Sequence, residues 1–123
     1  MPRIFLISDN HFSDYDGPDG IIPKLNRPFK KSADMNATMI KNWNSVVGAK
    51  DTVFNMGDFA WLKDEMVKYA NKLNGTKYFI LGNHDFEGDR WWLNEENYDN
   101  AIFSLMSVLT YKNKDFLLVH RPE

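Results

Sequence analysis

The chain has 123 residues, 43% hydrophobic and 26% charged, with 15 basic against 17 acidic side chains for a net charge of -2. A chain of this length folds around one core, removing about two-thirds of its unfolded surface from water, and its charge balance excludes a polybasic grip on polyanions or membranes. It has no cysteine, so disulfides, thiolate nucleophiles and cysteine zinc sites are excluded; any metal must be held by His, Asp, Glu, Asn and water.

Arg3 to Ser8 is apolar on consecutive positions, the pattern of a strand buried on both faces, and it stops at Asp9-Asn10-His11. From Asp9 to about Lys31 the turn residues Asp14, Asp16, Gly17, Pro18, Asp19, Gly20, Pro23 and Pro28 predict a long loop. Ser32 is the expected N-cap of an amphipathic helix whose core face is Met35, Met39, Trp43, Val46 and Val47, with Gly48 ending it. Thr52 to Met56 predicts a second strand, and Leu62, Met66, Val67, Ala70 and Leu73 mark a second helix stopped at Asn74-Gly75. Lys77 to Leu81 is a third strand, Phe86 to Asn100 a loop with one helical turn, and Ser107 to Tyr111 with Asp115 to His120 a hairpin around Lys112-Asn113-Lys114.

Strand, helix, strand, helix, strand predicts an α/β fold that starts βαβαβ, with parallel strands whose C-terminal ends lie on one edge. The longest apolar runs, such as Ile4 to Ile7 and Phe116 to Val119, hold four residues, against ~20 for a membrane span. The apolar stretch after Arg3 breaks at Ser8 and Asp9, so it is not a signal peptide. A single cytoplasmic domain over residues 1–123 is the expectation.

All three histidines, His11, His84 and His120, stand at or just past the end of a predicted strand, as do Asp58 and Asn83. That edge is where open α/β sheets bind ligands. The donors suit a mixed nitrogen and oxygen site for manganese, iron, zinc or nickel. Two such ions about 3.5–4 Å apart can share a carboxylate and a hydroxide and neutralise both ends of a displacement at phosphorus. Asp58 is the natural bridging carboxylate, and His84, oriented by Asp85, is placed to protonate a departing alkoxide.

Asp9-x-His11, Gly57-Asp58 and Gly82-Asn83-His84-Asp85 resemble the first three blocks of the calcineurin-like metallophosphoesterases. Asn26-Arg27-Pro28-Phe29 and Asn42-Trp43-Asn44 resemble a small bacterial and phage branch of that family. The resemblance implies that Asp9 and His11 hold one divalent metal, Asp58 bridges two, Asn83 and His120 hold the second, and His84 is the general acid. It also implies a two-sheet sandwich flanked by helices and the hydrolysis of phosphomonoesters or phosphodiesters by a metal-bound hydroxide. The family ends with a Gly-His-x-His block supplying a ligand to each metal, whereas this chain stops at Glu123. The expectation is a domain short of its C-terminal segment, with an open sheet edge or apolar face that invites a homodimer.

Taken singly, these motifs have plainer readings. A D-x-H pair serves as a turn cap and a solvated histidine, Gly-Asp is an ordinary turn, and His120 alone is a structural histidine. Asp14, Asp16 and Asp19 do not match the spacing of a calcium loop. Lys24, Arg27, Lys30 and Lys31 read as a solvated cluster rather than a nucleic-acid track, Trp91-Trp92 as partly buried beneath the loop, and Met35, Met39 and Trp43 as core. Two alternatives compete with the phosphoesterase: a non-catalytic interaction scaffold of the same fold, and a nuclease acting on short strands.

Overall fold

Apolar runs that carry no helical period become the strands of one parallel sheet in the computed structural model, which describes residues 2–60, 65–81 and 95–120. Strands β1 (Ile4–Ile7), β2 (Thr52–Asn55), β3 (Thr76–Ile80) and β4 (Ala101–Ser104) lie side by side in that order. Their register aligns Phe5, Val53, Lys77 and Ala101 across the sheet, and Leu6, Phe54, Tyr78 and Ile102 beside them. Because side chains alternate between faces, these two rows face opposite layers.

The first layer is helical. Helix α2 (Ser32–Val46) and helix α3 (Met66–Ala70) bring Trp43, Met66, Tyr69 and Ala70 onto Val53, Phe79 and Ala101. Met35, Trp43 and Val47 are buried and Met39 partly so, as expected of the core face of α2, but Val46, expected on that face, is 50% exposed at the helix end. The second layer is the antiparallel hairpin of β5 (Ser107–Tyr111) and β6 (Lys114–Leu118), whose Leu109 and Leu118 pack on Phe54, Tyr78 and Ile80. The parallel sheet with helices against it is what the alternation of elements predicts, and the second sheet is what the family resemblance implies.

Several boundaries differ from the sequence reading, each for a local reason. The long loop contains a four-residue helix, α1 (Ile21–Lys24), whose Ile21 and Ile22 pack on Met35. The N-cap of α2 is Lys31 rather than Ser32; the Ser32 N–H donates instead to the Asp16 carboxylate at 2.7 Å, so a distant Asp does the capping. Helix α3 ends at Ala70, four residues before Asn74-Gly75, while Gly75, at φ 89°, makes the turn into β3. Fully buried Lys77 takes up carbonyls from that turn, donating to Leu73 and Gly75 at 2.7 and 2.8 Å, and burial pushes its pKa down. The hairpin turn is the two-residue pair Lys112-Asn113, both left-handed, as the twist of a tight hairpin requires.

Strand β4 has no counterpart in the sequence reading, and a 3-10 turn at Glu95–Asn97 precedes it. The other correction concerns β1. It is an edge strand, with Ile4 and Leu6 48% and 55% exposed and Phe5 only partly buried, so it is not covered on both faces. Among the described residues no helix is long and apolar enough to cross a membrane.

Candidate metal centre

The ladder between β1 and β2 does not stop where the strands do. Met56 N–H donates to Ile7 O, Asp9 N–H to Gly57 O, His11 N–H to Asp58 O and Phe12 N–H to Phe59 O, at 2.8 to 3.1 Å. The segments after the two strands therefore run alongside each other past the sheet edge. Asp9, His11, Ser13 and Asp58 have φ of 51 to 57°, in the left-handed region. Ordinary residues adopt it at a cost of about 1–2 kcal/mol each, and such outliers concentrate at functional sites.

His11 and Asp58 each have an anchoring neighbour in the core. Phe12 and Phe59 are buried with ring centroids 4.8 Å apart, Phe12 stacks on Tyr69 at 5.1 Å, and Phe59 meets Phe79 edge-on at 5.0 Å. The aromatic partners fix the backbone of His11 and Asp58 from behind, leaving the imidazole and the carboxylate at the surface of the edge.

Ligand atoms of Asp9, His11 and Asp58 lie within 4.8 Å of one another. Donors about 2.0–2.2 Å from one ion stand up to about 4 Å apart, so a small inward movement closes this group around a cation. His11 Nε2 is 3.7 Å from Asp9 Oδ1, and Ser8 Oγ donates to Asp9 Oδ2 at 2.7 Å. His120 Nε2 in turn lies 3.7 Å from Asp58 Oδ2. The His120 Nδ1–H donates to the Met56 carbonyl at 2.8 Å; this leaves the Nε2 lone pair turned toward Asp58, the arrangement that presents imidazole to a metal. Gly57 makes room for that ring: at φ 113°, an added Cβ would stand 2.1 Å from His120 Nδ1. The Asp9, His11 and Asp58 donors fit a divalent cation.

Of the residues singled out from sequence, the fold thus gathers Asp9, His11, Asp58 and His120. Asn83, His84 and Asp85 lie outside the described residues, as do Trp91-Trp92. Asp14 and Asp16 serve helix starts: Asp14 accepts the N–H of Tyr15 and Ile21, and Asp16 that of Ser32. Arg27 is not simply part of a solvated cluster, since its guanidinium donates to the Asp9 and Asn10 carbonyls at 2.9 Å.

The sequence reading missed Asn10 and Asn55. Asn55, fully buried, donates to Asn10 Oδ1 at 2.7 Å and accepts the Gly57 N–H at 3.2 Å, joining the two ligand-bearing segments beneath the site. The signal was an amide in the otherwise apolar strand Thr52–Met56, since a buried polar group must find a partner.

The calcineurin-like phosphoesterase family model matches residues 2–122. The chain belongs to this family. Uncharacterized protein MJ1445 of Methanocaldococcus jannaschii is 37% identical over 126 aligned positions, covering all of this chain and 61% of its own length. The crystal structure of AQ665 from Aquifex aeolicus, a protein of unknown function, superimposes with a TM-score of 0.69 at 28% identity, over 97% of this chain and 60% of that one. This calcineurin-like phosphoesterase chain thus spans about three fifths of the length of each of these two proteins.

Proposed function

We propose that the protein is a metal-dependent phosphoric ester hydrolase with a dinuclear centre, in which Asp9 and His11 hold one ion, Asp58 bridges, and Asn83 and His120 hold the other. The observation that carries this reading is the Asp58 carboxylate, which lies within 4.8 Å of ligand atoms of Asp9 and His11 and 3.7 Å from His120 Nε2. The chemistry that two bound divalent ions, manganese first and iron, zinc or nickel after it, would supply here is Lewis-acid activation of water and neutralisation of charge at phosphorus.

The chain's own groups do the rest. Asp9, Asp58 and the two imidazoles fix the site at the sheet edge, where a phosphomonoester or phosphodiester approaches from solvent. His84 gives a proton to the leaving oxygen, and Asp85 orients its ring. Residues 1–123 act as one domain of this family. A cytoplasmic location accords with the lack of cysteine.

The test separates metal binding from turnover. Asp58→Asn loses both, whereas His84→Ala keeps the metal and loses about 10²–10⁴-fold in the hydrolysis of esters with poor leaving groups. Hydrolysis of such esters by His84→Ala at the parent rate would remove His84 from its role.

One observation favours a second reading, an interaction scaffold or homodimer: Ile4, Leu6, Val108, Phe116 and Leu117 are exposed on β1 and the hairpin. Partner capture or dimerisation that persists in chelator and is lost in Leu6→Ser or Leu117→Ser would support it.

A further inference from the structure

The motif Asn26-Arg27-Pro28-Phe29 is not explained by metal binding, and the structure gives each of its residues a task. Asn26 is left-handed at φ 53° just after α1; its N–H donates to Pro23 O, and the next N–H, that of Arg27, donates to Ile22 O. This pair of bonds closes a helix end around a residue that tolerates the left-handed region. Pro28 keeps Arg27 extended, and Phe29 anchors the strap by packing with Ile21, Ile22 and Met35. The strap thus carries the Arg27 side chain to Asp9 and Asn10.

What it meets is the backbone of the ligand-bearing segment. Arg27 Nη2 donates to the Asp9 carbonyl and Nη1 to the Asn10 carbonyl, both at 2.9 Å, with Met35 Sδ 3.3 Å from Nη1. These two carbonyls flank the left-handed turn that sets Asp9 and His11. From below, the Asn10 side chain is held by buried Asn55, which also binds Gly57 N–H. A planar guanidinium can bridge two fixed carbonyls, whereas an ammonium offers a compact point charge.

We propose that Arg27 is a positioning residue for the metal centre: its guanidinium, working against the Asn10–Asn55 amide pair, holds the strained segment Asp9–Ser13 in the form that presents Asp9 and His11. The proposal rests on the reading of those two residues as metal ligands. Its structural half, the bracing of the segment, is independent of any metal.

Hydrogen exchange on the metal-free protein tests that half. In Arg27→Ala, the amides of His11 and Phe12, which bond to Asp58 O and Phe59 O, are expected to lose protection by about 10-fold or more, while Thr76 and Leu81 keep theirs. Arg27→Lys is expected to fall between the two, and ethylguanidinium added to Arg27→Ala to restore part of the protection. Unchanged protection at His11 and Phe12, or an equal fall at all four amides, would overturn the proposal.

Calorimetric titration with manganese tests the other half, with an expected weakening of about 10–100-fold in Arg27→Ala, the size typical of groups that orient ligands. Equal affinity in parent and variant would also overturn the proposal. A parent that binds no manganese while the variant loses protection would sustain the brace and sink the metal reading instead. Loss of inorganic phosphate binding with exchange and manganese affinity intact would place Arg27 on the substrate and overturn its positioning role.

Discussion

The ring of His120 occupies the space that a side chain on Gly57 would need: a Cβ there would stand 2.1 Å from His120 Nδ1. The glycine that turns the chain out of β2 and the histidine that follows β6 are therefore one device, built from residues 63 positions apart in sequence. It explains why Gly precedes Asp58, since φ of 113° and the close ring both exclude a side chain.

Gly57→Ala is accordingly expected to destabilise the fold by about 1–3 kcal/mol from backbone strain alone and to displace His120. Thermal denaturation reads the first effect. Loss of the His120 Nδ1–H resonance shift that reports its bond to Met56 O reads the second.

Phe12 carries the weight of the first ligand segment, being fully buried between Phe59 and Tyr69. Phe12→Ala is expected to cost about 3–5 kcal/mol in chemical denaturation. It should also weaken manganese binding, because His11 loses the anchor at its next residue.

Far from the site, Asp51 ties the start of β1 to the turn before β2. Its carboxylate accepts the N–H of Gly48 at 2.8 Å and of Arg3 at 2.7 Å, and lies 3.2 Å from the Arg3 guanidinium. The Gly48 and Arg3 backbone bonds, with the Arg3 charge behind them, hold its pKa below the ordinary carboxylate value. A carboxylate depressed in the fold binds its proton more readily when unfolded. Its stabilisation is thus complete above the unfolded value of about 3.9 and disappears as pH falls through the lower folded value. Asp51→Asn should flatten the loss of stability below about pH 4 and leave the slope between pH 6 and 8 unchanged, as urea titrations at each pH would show.

How far the sequence revealed this arrangement depended on how local each cause was. Strands β1 and β3 were legible because four consecutive apolar residues, Ile4 to Ile7 and Tyr78 to Leu81, end at Ser8-Asp9 and Gly82, β2 because its β-rich run Thr52 to Met56 ends at Gly57-Asp58, and α2 because Met35, Met39 and Trp43 keep one helical face. Strand β4 is four residues with no periodic cue, and its pairing with β3 is set by the sheet alone. The exposure of β1 was hidden because an edge strand and a central strand share one apolar pattern. Asp9, His11, Asp58 and His120 could be named from their places after strands. The parts of Arg27 and Asn10 were not legible, since they depend on where side chains end up in space, and Asn55 left only the cue of an amide within a strand.

Ions that bind only the folded state stabilise it by about 2.7 kcal/mol at 100 times the dissociation constant. Manganese should therefore raise the melting temperature of the parent, and EDTA should reverse the rise. Asp58→Asn should show no rise, because the carboxylate common to both halves of the donor set is gone.

The most direct measurement is the hydrolysis of bis-p-nitrophenyl phosphate by the 123-residue chain with manganese, run beside Asp58→Asn and His84→Ala purified identically. The account predicts turnover by the parent that EDTA abolishes, that Asp58→Asn lacks together with the metal, and that His84→Ala lowers without losing the metal. A folded, manganese-loaded parent that releases no nitrophenolate, or equal release by all three proteins, would contradict it.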